Sequence, residues 1–166
     1  MTRAVRVHAY GGPEVLQVED IAVGAPGPGE VKLRQTAIGL NFIDVYLRTG
    51  LYPQPVMPFI PGAEGAGVVA EIGTGVTDLK VGDRVAYAVT SGGYAEERLI
   101  AANRVVPLPA SIPDQTAAAM MLQGMTVQYL LNSTFKVGPS TVLLFHAAAG
   151  GVGLIACQWC ASWAQP

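Results

Sequence analysis

The amino-acid sequence predicts a β-rich domain followed by the first part of an α/β domain. Up to about residue 112, short β-like runs alternate with turns built from glycine and proline, which is typical of a closed or nearly closed β-barrel. From residue 113 onwards, a helical segment, an apolar segment and a glycine-rich turn follow one another, as they do at the start of a doubly wound α/β fold. We therefore predict two domains, 1–112 and 113–166.

The strands of the first domain are predicted from alternation and from flanking glycines. "RAVRVHAY" alternates at a period of two, and "GAGVVAEIG", "GDRVAYAV" and "GGYAEERLI" are β-rich runs bounded by glycine. One segment differs, because "NFIDVYLRTG" places Phe42, Val45 and Tyr46 at helical spacing before Gly50. It predicts a short helix over about 41–48.

The second domain is predicted from a helix start and a buried strand. Ser111 or Pro113, with Asp114, suits the start of a helix. That helix continues through "QTAAAMMLQGMTVQYLL", with a break or kink expected at Gly124. The run "STVLLFHAAAGG" predicts a buried strand of a parallel sheet over about 141–147, and the residues after the glycines predict a further helix.

Composition excludes several classes of function. The chain is 51% hydrophobic with a net charge of −2, which excludes a disordered chain and provides no basic face for nucleic acid. No run of eighteen apolar residues occurs, so no membrane span is predicted. The first residues carry no apolar stretch of a secretory signal. We expect a cytoplasmic protein with no nucleic-acid or membrane partner.

The glycine-rich turn has the pattern of a pyrophosphate-binding loop. Laid on G-x-G-x-x-G, the sequence provides Ala148, Gly150 and Gly153, so that the first glycine is replaced by alanine. Such glycines let the backbone approach a phosphate and let the following helix pack closely. By itself this pattern fits a ligand-free strand-to-helix turn equally well.

Seven segments, in order along the chain, resemble one family. They are "GGPEVLQ", "AIGLNFIDVYLRTGLYP", "PGAEGAGVV", "VGDRVAY", "GGYAEERL", "AAAMMLQGMTVQYLL" and "FHAAAGGVGLIACQW". The sequence resembles the zinc-free, zeta-crystallin-like NADPH:quinone oxidoreductases of the medium-chain dehydrogenase/reductase superfamily. The resemblance implies a GroES-like β-domain, a Rossmann domain that binds NADPH, hydride transfer to a small quinone or enone, and a homodimer. It covers roughly the first half of such an enzyme.

The same resemblance implies that no metal takes part. Zinc-dependent relatives place a cysteine and a His-Glu pair in these segments, and a catalytic zinc needs three protein ligands. Here the cysteine position is Asn41 and the histidine position is Ala63, while Glu64 remains. One carboxylate cannot hold a catalytic zinc, so we expect none.

The resemblance also assigns site residues, with no dedicated catalytic residue among them. Asn41, Phe42, Ile43 and Asp44 would line the nicotinamide and its ribose, and Tyr46 and Tyr52 would face the substrate. The residues expected to lie beneath NADPH or to meet its pyrophosphate are Gln123, Thr126, Tyr129, Gly150, Gly151 and Val152.

Each assignment has a structural alternative that the residues alone leave open. Asn41 is equally suited to cap the helix that follows it, and Asp44 to be a solvated acid of the first turn. Tyr46 could belong to the core, and Gln123 and Thr126 could be ordinary helix residues. Lone histidines and the Cys157–Cys160 pair are more typical of structural positions than of a redox or zinc site.

The end of the sequence departs from the family. After "CQW" the residues "CASWAQP" differ from the polar-faced helix leading to "LGAT" that the family predicts. With suitable codons for Ser162–Pro166, reading from the last base of the Ser162 codon encodes Leu-Gly-Ala-Thr. We expect a truncated or frameshifted gene product, the alternative being an excised fragment. Two functions stay open. One is a quinone or enone reductase whose truncated chain is inactive and binds NADPH weakly or not at all; the other is a non-catalytic β-domain remnant or binding module.

Overall fold

A computed structural model describes residues 1–163 and divides the chain into two compact units. The first unit is Met1–Met121 and the second starts at Leu122. Of the residues in the proposed frameshift, Ala164, Gln165 and Pro166 lie outside the described residues.

The first unit is built from seven strands, one short α-helix and two 3₁₀ turns (Pro13–Val15 and Ala102–Arg104), followed by the start of a longer α-helix. In chain order the strands and α-helices are β1 (Thr2–Arg6), β2 (Gln17–Ile21), β3 (Glu30–Ile38), α1 (Phe42–Thr49), β4 (Glu64–Ile72), β5 (Arg84–Ala88), β6 (Glu97–Ala101), β7 (Val105–Pro107) and α2 (Asp114–Tyr129). The helix predicted over 41–48 is confirmed as α1.

Five of the strands form one antiparallel sheet in the order β6-β3-β4-β5-β7, and β1 pairs with β2 in a second, two-stranded sheet. Isolated bridges join Ala4 to Ala95 and Val7 to Phe59. The β-rich domain predicted from the spacing of short strands is therefore confirmed. β4 holds a central place in the sheet, which brings its first residue, Glu64, beside α1.

The core of this unit surrounds Tyr87. Its ring is fully buried, its hydroxyl donates to Oε1 of Gln35, and the Arg98 guanidinium lies 4.7 Å from the ring centroid. The aliphatic side chains that pack around it are Val31, Leu33, Val69, Leu79, Val85, Ile100 and Val105. Burial of this apolar surface is the main stabilising contribution of the unit.

An ion pair anchors the start of α2 on the sheet. Oδ1 of Asp114 accepts hydrogen bonds from Arg84 Nε at 3.0 Å and Nη2 at 2.5 Å, and Oδ2 accepts from the Thr36 hydroxyl at 2.6 Å. These donors hold the pKa of Asp114 below its usual value, with Thr36 the larger cause and Arg84 the next. The helix start predicted near Asp114 is confirmed.

The second unit contains the rest of α2, a π-helical turn (Leu130–Thr134) and α3 (Gly151–Trp163). Its apolar centre consists of the buried side chains Val127, Leu131 and Ala156. The break expected at Gly124 does not occur, because α2 runs through that residue and the irregular turn comes at Leu130 instead.

The strand predicted over 141–147 is wrong, since none of these residues lies in a strand. A strand requires a neighbouring strand to pair with its backbone. The described part of the second unit provides none. The side chains of Val142 and Leu144 are 98% and 86% exposed.

No helix within residues 1–163 is both long and apolar enough to cross a membrane.

Candidate functional site

The start of α1 is fixed by a capping box. Asn41 is the N-cap residue, with extended backbone angles, and Asp44 is the third residue of the helix. The Asp44 carboxylate accepts a hydrogen bond from the Asn41 backbone N–H at 2.9 Å. A carboxylate here also interacts favourably with the positive end of the helix dipole. In the same capping box the Asn41 side chain accepts the Asp44 backbone N–H, which is the capping role considered for Asn41.

Asp44 is not the solvated acid that its position alone allows. Its side chain is buried, with 6% exposure, and Oδ2 accepts a second hydrogen bond, from the Tyr94 hydroxyl at 2.8 Å. Its other oxygen, Oδ1, is buried without a hydrogen-bond partner among residues 1–163. Burial, followed by the hydrogen bond to Asp44, raises the pKa of the Tyr94 phenol.

Glu64 joins this polar cluster from β4. Its carboxylate is 1% exposed, and Oε1 accepts a hydrogen bond from Nδ2 of Asn41 at 2.6 Å. The side chain has room because residue 39 is glycine, where a Cβ would collide with Cγ of Glu64 and with the carbonyl oxygen of Ala118. The buried cluster thus consists of two buried carboxylates, Asp44 and Glu64, and their partly buried partners, Asn41 and Tyr94.

Two members of this cluster, Glu64 and Tyr94, were missed as site residues by sequence reasoning. Their contacts with α1 join residues 23 and 50 positions apart, which no local pattern reveals. One residue in the sequence, Gly62, does indicate the close packing of the Tyr94 segment. It has a φ of 98°, which favours glycine. A Cβ there would meet the Tyr94 backbone nitrogen at 2.8 Å. This glycine therefore marks the place where the Tyr94 segment packs closely.

The positions that zinc-dependent relatives use for metal ligands hold other groups. Asn41 engages its amide nitrogen with Glu64, and Ala63, which is buried, carries no donor atom. Nowhere in residues 1–163 do three histidine, cysteine, aspartate or glutamate side chains come together as a metal site requires.

Three aromatic rings form an exposed wall beside the buried cluster. The Phe42 and Tyr46 ring centroids are 6.0 Å apart, and those of Tyr46 and Tyr52 are 5.5 Å apart in an edge-to-face arrangement. The Tyr52 backbone N–H donates to the Tyr46 carbonyl oxygen at 3.1 Å. Phe42 is 77% exposed and Tyr52 51% exposed. This aromatic wall (Phe42, Tyr46 and Tyr52) offers a surface on which a flat ring can pack.

Ile43 points away from the aromatic wall. It packs against the small apolar cluster of Val7, Leu47 and Phe59. Its side chain therefore supports α1 from behind, whereas Asn41, Asp44, Phe42 and Tyr46 occupy the buried cluster and the aromatic wall.

The glycine loop of the second unit leads directly into α3. The Gly150 N–H donates to the Ala147 carbonyl oxygen at 2.8 Å, and Ala147 has a φ of 54°. A Cβ on Gly153 would lie 2.5 Å from Cα of Ala148. Only glycine allows this approach without a backbone shift. The loop is thus tightly folded and followed by a helix N-terminus, whose first N–H groups have no intrahelical acceptor.

The remaining predicted residues of the second unit lie on α2 and α3. Gly151, the first residue of α3, lies close to the Gln123 side chain, where a Cβ would collide with the Gln123 amide. The Thr126 hydroxyl donates to the Leu122 carbonyl oxygen at 2.7 Å, and Tyr129 is 49% exposed. Val152 is partly buried against the apolar centre.

The chemistry of this loop fits an anionic group. Backbone N–H groups at a helix N-terminus, reached through glycines, are what a pyrophosphate requires. Gly150, Gly151 and Val152 stand at that N-terminus. In the first unit, the Asn41 amide offers a polar group to a ligand, and the aromatic wall offers a flat apolar surface.

Comparisons with known proteins agree with this geometry. The family model of the alcohol dehydrogenase GroES-like domain matches residues 27–110. The chain is 53% identical over 160 residues to a quinone oxidoreductase of Pseudomonas aeruginosa, which covers 96% of this chain and 49% of the relative. The chain spans about half the length of the curated relatives it matches.

Two crystal structures are similar to the chain over nearly its whole length. A quinone oxidoreductase of Pseudomonas syringae pv. tomato DC3000 has a TM-score of 0.95 at 51% identity, with 98% of this chain and 50% of that one covered. The Escherichia coli quinone oxidoreductase complexed with NADPH has a TM-score of 0.91 at 46% identity, with the same coverage. The resemblance and the GroES-like fold predicted from the sequence motifs are confirmed.

Proposed function

Because the chain belongs to the family of alcohol dehydrogenase GroES-like domains, we propose that its residues form part of an NADPH-dependent reductase of quinones or enones. The observation that carries this proposal is the buried polar cluster of Asn41, Asp44, Glu64 and Tyr94 beside the aromatic wall. It combines a fixed amide with an exposed flat surface, and the relatives at about 50% identity are quinone oxidoreductases.

The cofactor would be held by two groups of residues. Asn41, Phe42, Ile43 and Asp44 are proposed for the nicotinamide and its ribose, Ile43 acting through its support of α1. The residues proposed for the rest of the cofactor are Gln123, Thr126, Tyr129, Gly150, Gly151 and Val152. When bound, NADPH supplies a hydride, and the protein supplies position and polarity. The Escherichia coli relative complexed with NADPH supports this choice of cofactor.

Tyr46 and Tyr52 are proposed to bind the substrate. Their edge-to-face rings, 5.5 Å apart, and the neighbouring Phe42 suit a flat quinone ring. The Tyr52 side chain is half exposed, so its hydroxyl is free to donate a hydrogen bond to a substrate carbonyl oxygen. Such a donor stabilises the negative charge that this oxygen acquires on reduction.

The reaction is proposed to proceed without a metal ion. Zinc as a Lewis acid needs three protein ligands in this place, and Asn41 and Ala63 supply none of the sulfur or imidazole donors. In their place, the hydroxyl of Tyr52 is the donor proposed for the carbonyl group of the substrate.

For the 166 residues taken by themselves, we propose weak NADPH binding and no turnover. A charge-assisted hydrogen bond contributes about 1.5–3 kcal/mol net, and association costs at least about 4 kcal/mol. A few such bonds at one loop leave affinities of about 1 mM or weaker. Titration of the chain with NADPH, followed by nicotinamide fluorescence, tests this, and saturable micromolar binding would refute it.

Three further expectations stay proposals. Composition supports a cytoplasmic protein without a nucleic-acid or membrane partner, and the pattern along the chain supports domains 1–112 and 113–166. The homodimer depends on the resemblance alone. The alternative, a non-catalytic β-domain or binding module, would retain the buried cluster and lack turnover in any context.

A hybrid enzyme tests the proposed function. Residues 1–159 are joined to the second half of the Pseudomonas aeruginosa quinone oxidoreductase. The chain is 53% identical to that relative over the 160 residues that match. We expect the hybrid to oxidise NADPH when a small quinone or enone is added, and the relative itself serves as the positive control. A folded hybrid, with the circular dichroism and melting behaviour of the relative, that reduces neither substrate class would refute the proposal and favour the non-catalytic alternative.

A further inference from the structure

The side-chain amide of Asn41 could in principle turn either of its ends toward a ligand. One end is an NH2 group, which donates hydrogen bonds, and the other is a carbonyl oxygen, which accepts them. In this chain the NH2 group donates to Oε1 of Glu64 at 2.6 Å, and Glu64 is 1% exposed. The donor end of the amide is thus turned toward the interior.

The Glu64 carboxylate is itself held in place by the sheet. Glu64 is the first residue of β4 and pairs with Ala88 of β5, while its carbonyl oxygen accepts the Gly39 N–H at 3.1 Å. The absence of a side chain at Gly39 leaves the space that the carboxylate fills. Because an ionised carboxylate accepts hydrogen bonds and donates none, it selects the NH2 end of the amide.

We propose that Glu64 is a positioning residue, which holds the NH2 group of Asn41 inward and leaves the carbonyl end of the amide for a hydrogen-bond donor of the ligand. This inference rests on the proposed function, in which Asn41 meets the nicotinamide half of NADPH. The donors of that half are its carboxamide NH2 and its ribose hydroxyls. Even with one lone pair engaged in the capping box with Asp44, the second lone pair of the carbonyl oxygen is left for such a donor.

The orientation of the amide is measured first, without any ligand. In the full 166-residue chain, labelled with ¹⁵N and ¹³C, a scalar coupling across the hydrogen bond between Asn41 Nδ2 and the Glu64 carboxyl carbon is expected. Assigned signals for both groups without this coupling would overturn the inference. This measurement uses the unaltered chain, so it does not depend on whether a variant folds.

Ligand binding is measured next, with reduced nicotinamide mononucleotide as the probe. Shifts of the Asn41 side-chain signals are followed up to about 20 mM, a range set by the millimolar affinity expected for a few hydrogen bonds. Glu64→Gln has nearly the same shape but provides an amide that can face Asn41 with either end, so we expect the affinity to fall about five- to ten-fold, the size of one net hydrogen bond. Glu71→Gln is the matched control, since Glu71 lies on the same strand and pairs with Lys32 at the surface.

A double variant distinguishes positioning from a merely structural role. When Asn41→Asp is combined with Glu64→Gln, the new amide at position 64 can donate to the new carboxylate at position 41, whose second oxygen is again an acceptor for the ligand. We expect this exchange to restore most of the affinity lost in Glu64→Gln. Equal affinity in Glu64→Gln and Glu71→Gln, no rescue, or no response of Asn41 in the unaltered chain would overturn the inference. An inactive hybrid enzyme would refute the proposed function while leaving the measured coupling intact.

Discussion

The Tyr94 hydroxyl donates a hydrogen bond of 2.8 Å to Oδ2 of Asp44, a residue fifty positions earlier in the chain. This contact connects the loop before β6 to the first turn of α1. The same helix carries Phe42 and Tyr46 of the aromatic wall. The same carboxylate oxygen caps the Asn41 backbone N–H. The buried carboxylate thus links the helix start to the β-rich unit.

Removing this hydroxyl should destabilise the first unit. Tyr94→Phe leaves Asp44 with one donor fewer in a buried position, and we expect the free energy of unfolding to fall by about 1–3 kcal/mol. Urea denaturation measures the difference. Tyr10→Phe is the control, because the Tyr10 hydroxyl is also hydrogen-bonded but exposed: it accepts from the Gln54 backbone N–H at 2.7 Å. Equal losses in the two variants would show that the buried position of Asp44 is unimportant.

The hydrogen bond between Tyr94 and Asp44 should make the free energy of unfolding depend on pH in the alkaline range. Burial, and then Asp44, raises the pKa of Tyr94 in the folded chain. The contribution of Tyr94 to stability is therefore fully present below the ordinary tyrosine pKa of about 10 and is lost as the pH rises above it. We expect the stability difference between the unaltered chain and Tyr94→Phe to narrow between about pH 10 and pH 11.5. A constant difference over that range would contradict the raised pKa.

The glycine loop should tolerate no side chain at Gly153. A Cβ there would lie 2.5 Å from Cα of Ala148 and 2.6 Å from the Ala147 carbonyl oxygen, both backbone atoms. Overpacking of this kind costs about 1–3 kcal/mol, and we expect Gly153→Ala to lower the melting temperature and to raise hydrogen exchange in α3. Gly138→Ala is the control, because within residues 1–163 no atom beyond the two neighbouring residues lies within 4 Å of the Cβ it would add. It should be neutral or slightly stabilising.

Tyr52 should affect turnover through its hydroxyl. In the active hybrid, Tyr52→Phe is expected to lower kcat/KM for a quinone about three- to ten-fold, as loss of one hydrogen bond to the carbonyl oxygen would. Tyr52→Leu, which also removes the edge-to-face contact with Tyr46, should lower it further. If Tyr52→Phe changes neither kinetic constant, Tyr52 has only a packing role.

The boundaries of α1 and α2 were predictable from the sequence, because the residues that end or begin these helices lie next to them in the chain. Helix α1 ends where Gly50 takes a φ of 80°, and α2 begins at Asp114 after a proline; both signals lie within a few positions of the boundary they mark. The strand predicted over 141–147 failed for the opposite reason. Its apolar composition favours a strand, but a strand needs a neighbouring strand to pair with, and the described part of the second unit contains none.

Sequence reasoning identified members of the buried cluster and the aromatic wall only within the one motif that contains α1 and Tyr52. Asn41, Asp44 and Tyr46 follow one another along α1, so a local segment and a family resemblance were sufficient to select them. Glu64 and Tyr94 contact α1 from β4 and from the loop before β6. Such long-range hydrogen bonds are decided by the packing of the whole unit, which a periodic pattern does not encode.

Metal-free reduction by NADPH can be tested by one rate measurement on the hybrid of residues 1–159 with the Pseudomonas aeruginosa relative. The hybrid is dialysed against a strong chelator, its zinc content is checked by elemental analysis, and NADPH oxidation is followed by absorbance after a small quinone is added. We predict the same rate before and after chelation, with one NADPH consumed for each quinone reduced and no increase when zinc is added. A rate that disappears with the metal and returns with added zinc would show that the reaction depends on zinc.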